Sequence, residues 1–237
     1  MSMLGRKGFP CTISGSTGGY FSMFSWLRHL AGFESPAAKQ ERQKIEREEA
    51  REVISESLEL GLRMGFYDDA AVLQRAVDSV EDDISESDAR MIAHEMFPGI
   101  LQAYFAAVRT WPAETDCDRM VRAFERLEES GIIALHHYSC CGTCGAAAVA
   151  KEMEEAHEEG RPVRGYTFYH QQDTESAASG SCIYLSYGAW KGGGRETEAI
   201  AREIISVLND AGLSTDWNGS LNQRIELRVD WKRRRDT

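Results

Sequence analysis

The periodicity of the chain changes once, near Gly131, and that change constrains the fold more than any other feature of the sequence. Before it, apolar residues recur at the three- and four-residue spacing of helices. After it, short runs rich in β-branched and aromatic residues alternate with helical stretches, the signature of a sheet carrying helices. In the first half, residues 40–62 read as a helix, charged first and then apolar at Val53, Ile54, Leu58 and Leu62, with Gly65 as its stop. Asp68 or Asp69 caps a second helix, and Ser85 or Ser87 opens a third, which Pro98-Gly99 is expected to break or kink. Trp111-Pro112 ends this region, because a residue before proline is pushed away from helical angles.

Thr115 and Asp118 have the spacing of a capping box, and the helix they open puts Met120, Val121, Phe124 and Leu127 on one face. Strands are expected at 132–138, 166–170, 182–190, 214–217 and 224–231, with helices at 146–159 and 196–211 and a loop at 173–180. The order β-α-β-β-α-β plus a last strand predicts an α+β fold: an N-terminal helical region followed by a ferredoxin-like antiparallel sheet with two packed helices. The division that follows is a flexible extension over 1–39, a helical region over 40–112 and an α+β domain over 113–237. Residues 1–20 are rich in Gly, Ser and Thr and lack the apolar core of a secretory signal, while Met23 reads as an alternative start. Cytoplasm is the compartment this predicts.

Charge narrows the function classes. Lys plus Arg number 27 and Asp plus Glu 38, so the chain carries −11 at neutral pH. A nucleic-acid binder needs a basic face to displace counterions, so that class is disfavoured. A basic protein partner suits the balance better, as for an immunity-type protein that neutralises a basic toxin. No apolar run approaches the length of a membrane span.

One constellation can carry chemistry. Half of the six cysteines fall in Cys140-Cys141-Gly142-Thr143-Cys144, where a strand ends and a helix begins. A helix N-terminus stabilises a thiolate there. If the next strand runs parallel to the first, its end at His170 to Asp173 and the following strand's start at Cys182 lie on the same sheet edge. Cys140, Cys141, Cys144, His170 and Cys182 are therefore the candidate metal ligands, with Asp173 beside them; His136 and His137 point to opposite faces of the first strand, so at most one can join.

Three readings remain open. The cysteines are small buried apolar residues; or they hold zinc, through Cys141, Cys144 and two of Cys140, Cys182, His170 and His137; or Cys141 and Cys144 form a thiol redox pair that opens a helix, as in thioredoxin-like proteins. The last is the enzymatic alternative to a non-catalytic binding or regulatory module.

Further residues mark a family. Trp111-Pro112, Cys140-Cys141, Cys144-Gly145, His170-Gln171-Gln172-Asp173-Thr174-Glu175, Tyr187-Gly188 and Trp217-Asn218-Gly219-Ser220 resemble an uncharacterised bacterial family classed as a domain of unknown function, with C-C-x-x-C-G, H-x-Q-x-T-E and W-x-G-S blocks. The resemblance runs from about Val53 onward. It implies a shared fold and brings no activity, substrate or catalytic residue with it.

Overall fold

The computed structural model describes residues 35–235, so the expectations for the Gly/Ser-rich start and Met23 lie outside the described residues. The described chain forms two compact units, one of residues 35–59 and 69–101, the other of residues 60–68 and 102–235.

In the first unit, helix α1 (Pro36–Met64, whose last turn belongs to the second unit) is followed by α2 (Asp69–Asp78) and α3 (Glu86–Val108, whose part from residue 102 on belongs to the second unit). Ala50, Ile54 and Leu58 of α1 are buried, as are Val72 and Ala76 of α2 and Ala89, Ile92 and Ala93 of α3. Their spacing is the helical stripe read from the sequence. Ion pairs Arg47–Asp88 at 2.9 Å and Arg51–Glu95 at 3.1 Å join α1 to α3 along an exposed face. The expected break at Pro98 does not occur, and α3 runs through it. Proline removes one backbone hydrogen bond, and buried Ala93 and Phe97 anchor the turn before it.

The second unit is the α+β part. Helix α4 (Asp116–Glu129) opens with the capping box expected at Thr115 and Asp118. It turns Met120, Phe124 and Leu127 inward, each burial contributing about 2 kcal/mol. Then follow β1 (Ile132–Leu135), α5 (Gly142–Glu158), β2 (Gly165–Phe168), α6 (Gln171–Ala178), β3 (Ile183–Ala189), α7 (Gly194–Asp210), β4 (Ser214–Asp216) and β5 (Ile225–Arg228). The five strands form one sheet in the order β1-β2-β3-β5-β4.

The α+β architecture with a leading helical region is as the pattern implies, but the sheet is mixed. Strands β1 and β2 are adjacent and parallel, and every other pairing is antiparallel. The reason is α5, a 17-residue crossover long enough to return the chain to the starting end of the sheet. Both faces are covered. Helices α4 and α7 pack with Ile132, Ala134, Leu185, Ile225 and Leu227 on one face. Helix α5 places Met153 and Ala156 against Ile133, Tyr166 and Trp190 on the other. Neighbouring Ile132 and Ile133 thus serve opposite layers, as strand alternation requires. Residues expected to be a loop over 173–180 largely form α6 instead, because His170 and Asp173 close its first turn.

The basic segment at 231–235 is a strap. Trp231 Nε1 donates to the Arg63 carbonyl at 2.9 Å, and the Arg233 guanidinium lies 4.0 Å from the Phe66 ring centre. Arg234 pairs with Asp118 at 3.0 Å, and Arg235 donates to the Tyr67 carbonyl at 2.9 Å.

Candidate functional site: a cysteine turn at the sheet edge

Strand β1 ends at Leu135, and the next six residues bend sharply before α5 begins. His137 (φ 51°) and Ser139 (φ 62°) both adopt the left-handed conformation. Non-glycine residues rarely do so, and each costs of order 1 kcal/mol unless the surroundings hold it. Here they do. Tyr138 N–H donates to the Tyr169 carbonyl at 2.9 Å, and Gln171 N–H donates to the Ser139 carbonyl at 3.1 Å. The His137 ring stacks on Phe66 with centroids 4.4 Å apart, while its Nδ1 and Nε2 bond Thr174 Oγ1 (2.9 Å) and Tyr67 hydroxyl (3.1 Å). His136 faces inward, stacked on Phe124, with Nδ1 3.0 Å from the Tyr169 hydroxyl. Burial, with the nearby Arg233 charge, pushes its pKa down to about 4.

This held bend delivers three thiols to one place. Cys141 is the N-cap of α5, in extended conformation (φ −152°, ψ 170°), and Cys144 is the third residue of its first turn. The sulfurs of Cys140, Cys141 and Cys144 all lie within 4.8 Å of one another. Cys140 and Cys144 are exposed and Cys141 is half-buried. The Cys141 sulfur makes no cap hydrogen bond of regular geometry, yet it sits within electrostatic reach of the Cys144 and Thr143 N–H groups. Backbone and thiol of Cys144, with smaller contributions from Cys140 and Thr143, lower the Cys141 pKa. The Cys140 and Cys141 sulfurs in turn push Cys144 up to about 11.

One glycine is required behind the turn, and a second borders His170. A Cβ on Gly145 would lie 2.6 Å from the ring of Phe168, which is fully buried, so helix α5 approaches β2 closely because position 145 has no side chain. A Cβ on Gly142 would stand 3.5 Å from the His170 ring.

His170 lies beside the thiol group without being part of it. Its Nδ1 accepts the Asp173 N–H at 3.2 Å, and Asp173 Oδ2 accepts the His170 N–H at 3.0 Å, a capping box for α6. The tautomer assigned from this bond carries its neutral-state proton on Nε2, which lies 3.4 Å from Arg224 Nη1. Burial, and then the Arg224 charge, lower the His170 pKa against the opposing pull of Asp173. Asp173 is 5% exposed and pairs with Arg224 at 2.5 Å; the same guanidinium also donates to the Tyr184 carbonyl. Cys182 is elsewhere, 4% exposed before β3, with its sulfur 3.6 Å from Glu226 Oε1.

Of the five ligand candidates, then, three converge, one flanks them and one stands apart. Arg224, Phe66 and Tyr67 escaped the sequence reading because they come from distant segments, and Thr174 stood in the His170 to Glu175 block without a role. The signal that existed was His170-x-x-Asp173, a capping box with histidine in the place usually taken by serine or threonine. The late Trp217-Asn218-Gly219-Ser220 block is a turn: Trp217 Nε1 and the Tyr187 hydroxyl both donate to the Ser220 carbonyl, at 3.1 and 3.3 Å.

A family model described as Domain of unknown function (DUF6891) matches residues 47–235. No curated protein and no solved structure gives a significant match.

Proposed function

The chain belongs to the DUF6891 family, whose function is unknown, and we propose that it is a metal-binding module in which Cys140, Cys141 and Cys144 hold a zinc ion. The observation that carries this reading is the convergence of three sulfurs within 4.8 Å on a bend held in a costly conformation. Thiolates around zinc stand about 3.8 Å apart, from metal–sulfur bonds of about 2.3 Å in a tetrahedron, so small rotations of side chains close the set. Zinc favours sulfur donors, and the partly positive first turn of α5 offsets the charge of three thiolates.

His170 and Cys182 stay outside this ligand set. The Nδ1 of His170 caps α6 and its Nε2 lies 3.4 Å from the Arg224 guanidinium, so the ring borders the site near Gly142 without joining the sulfurs. Cys140 and Cys144 are exposed, so a solvent molecule or a donor from a partner would complete the shell of a bound zinc. A non-catalytic role suits this: a surface module whose metal fixes the turn, in a chain whose net charge of −11 favours a basic protein partner. Thiolate ligands have to stay reduced, which suits a cytoplasmic location. Among the described residues no helix is long and apolar enough to cross a membrane.

The test is metal content of the full chain purified under reducing conditions. We expect about one zinc per chain, lost in Cys140→Ser, Cys141→Ser and Cys144→Ser. It is retained in Cys117→Ser, whose thiol is 1% exposed and pushed up to about 12 by burial. Full zinc content in the triple serine variant, or none in the unsubstituted chain after zinc is supplied, overturns the reading.

A further inference from the structure

We propose that Cys141 and Cys144 form a reversible disulfide by exchange with a small-molecule disulfide, with Cys140 left outside the pair. The pairing follows from helix geometry. An N-cap side chain is directed over the first turn, toward the backbone of the third helical residue, and here that residue is Cys144. Residues three apart in a helical turn have Cα atoms roughly 5 Å apart. A disulfide accepts about 4.4–6.8 Å, so the bond closes without moving the backbone far. The alternative between Cys140 and Cys141 would twist the planar trans peptide that joins them. The Cys140 sulfur also lies within 4.8 Å of Cys144, but position 140 comes before the cap, outside the first-turn register that sets the N-cap residue over the third helical residue.

The first step places the Cys141 thiolate on one sulfur of the small disulfide. The S–S bond of the reagent breaks, and one thiolate leaves. Cys141 now carries a mixed disulfide. The Cys144 thiolate then attacks the Cys141 sulfur and expels the second thiolate. Two protein thiols have been oxidised and one small disulfide has been reduced to two thiols. Cys141 is the attacking sulfur because it occupies the cap, where first-turn N–H groups lie around it, whereas Cys144 is within the turn and exposed to resolve the adduct. None of these steps requires a metal. Where zinc is bound, the two states exclude one another, because disulfide sulfurs are not thiolate ligands; this consequence alone rests on the metal reading.

The experiment uses the reduced, metal-free full chain with glutathione disulfide, followed by intact mass and peptide mapping. The expected product is a Cys141–Cys144 disulfide, with Cys140→Ser forming it equally and Cys144→Ser accumulating a glutathione adduct on Cys141. An adduct chiefly on Cys140, a disulfide that includes Cys140, or exchange at Cys141 no faster than in the urea-unfolded chain overturns the proposal. A second arm repeats the exchange on chain shown by metal analysis to hold zinc, where it is expected to slow at least tenfold. Undiminished exchange in that arm overturns only the competition, while failure to hold zinc leaves the first arm to decide the pair.

Discussion

Helices α5 and α6 both start beyond the ends of adjacent parallel strands, and they are finished in opposite ways. At α6 the cap is closed: His170 and Asp173 form a reciprocal capping box, Arg224 neutralises the carboxylate, and Thr174, fully buried, bonds His137. At α5 the cap position holds a cysteine without a regular cap bond, and two of three clustered thiols are exposed. A helix N-terminus left with unsatisfied N–H groups forfeits about 1 kcal/mol that serine would supply. The α6 end carries the stability and the α5 end carries the chemistry. The dependence runs one way, since α6 anchors the bend that presents the thiols, through Gln171 to Ser139 and Thr174 to His137.

The sharpest way to break that contrast is Asp173→Ala. It removes the acceptor at the α6 cap and leaves Arg224, whose Nε is already buried without a partner, uncompensated. Breaking a buried charge pair costs about 3 kcal/mol. The expected outcome is a large fall in the urea midpoint with metal affinity lost alongside it, because the bend loses its anchor. A variant of wild-type stability would show that α6 is not the anchor.

Acid should act nearly as strongly. His136 is held neutral, with a folded pKa of about 4 against an ordinary 6.5. Below pH 6.5 the unfolded chain takes up a proton that the folded chain refuses. The stability this supplies is complete above pH 6.5, falls as pH drops from 6.5 to 4, and amounts to about 3 kcal/mol. His170, also lowered, adds in the same direction. Urea midpoints between pH 7.5 and 4 should decline through this window, and His136→Gln should flatten most of the decline; an unchanged slope would assign it to other groups.

Next in size is Gly145→Ala. The added methyl meets Phe168, so α5 must shift, at about 2 kcal/mol. Because position 145 follows Cys144, the shift is read at the thiols: zinc affinity should fall further than in Gly160→Ala, whose Cβ meets nothing within 4 Å although its φ of +77° strains the chain. Equal affinity in the two variants would separate the cysteine turn from the packing behind it.

How far the sequence announced all this differs between the two helix ends. Cys140-Cys141-Gly142-Thr143-Cys144 was legible because its spacing is local, and a strand followed by a helix fixes which residues meet in the first turn. The α6 end reads as a loop in sequence because histidine is an uncommon cap and the helix has only eight residues. Arg224 arrives from the start of β5 and Tyr67 from the segment after α1, and no local pattern pairs residues 51 or 70 positions apart. The parallel β1–β2 pair was implied by the crossover helix, whereas the covering of both sheet faces was not, since β1 is too short for alternation to stand out.

The smallest predicted change is the most discriminating between the two ends. Cys141→Ser gives α5 the kind of cap oxygen that α4 has in Thr115. Serine is among the best N-cap residues, so the metal-free variant should be about 1 kcal/mol more stable than the unsubstituted chain. The same substitution removes one of three clustered sulfurs, and zinc binding should be lost. Stability and binding therefore move in opposite directions at position 141, which no purely structural role for the cysteine produces. Paired denaturation curves with and without zinc measure both. A serine variant that is less stable without metal would mean that the sulfur is already the better cap, and that the α5 end is finished after all.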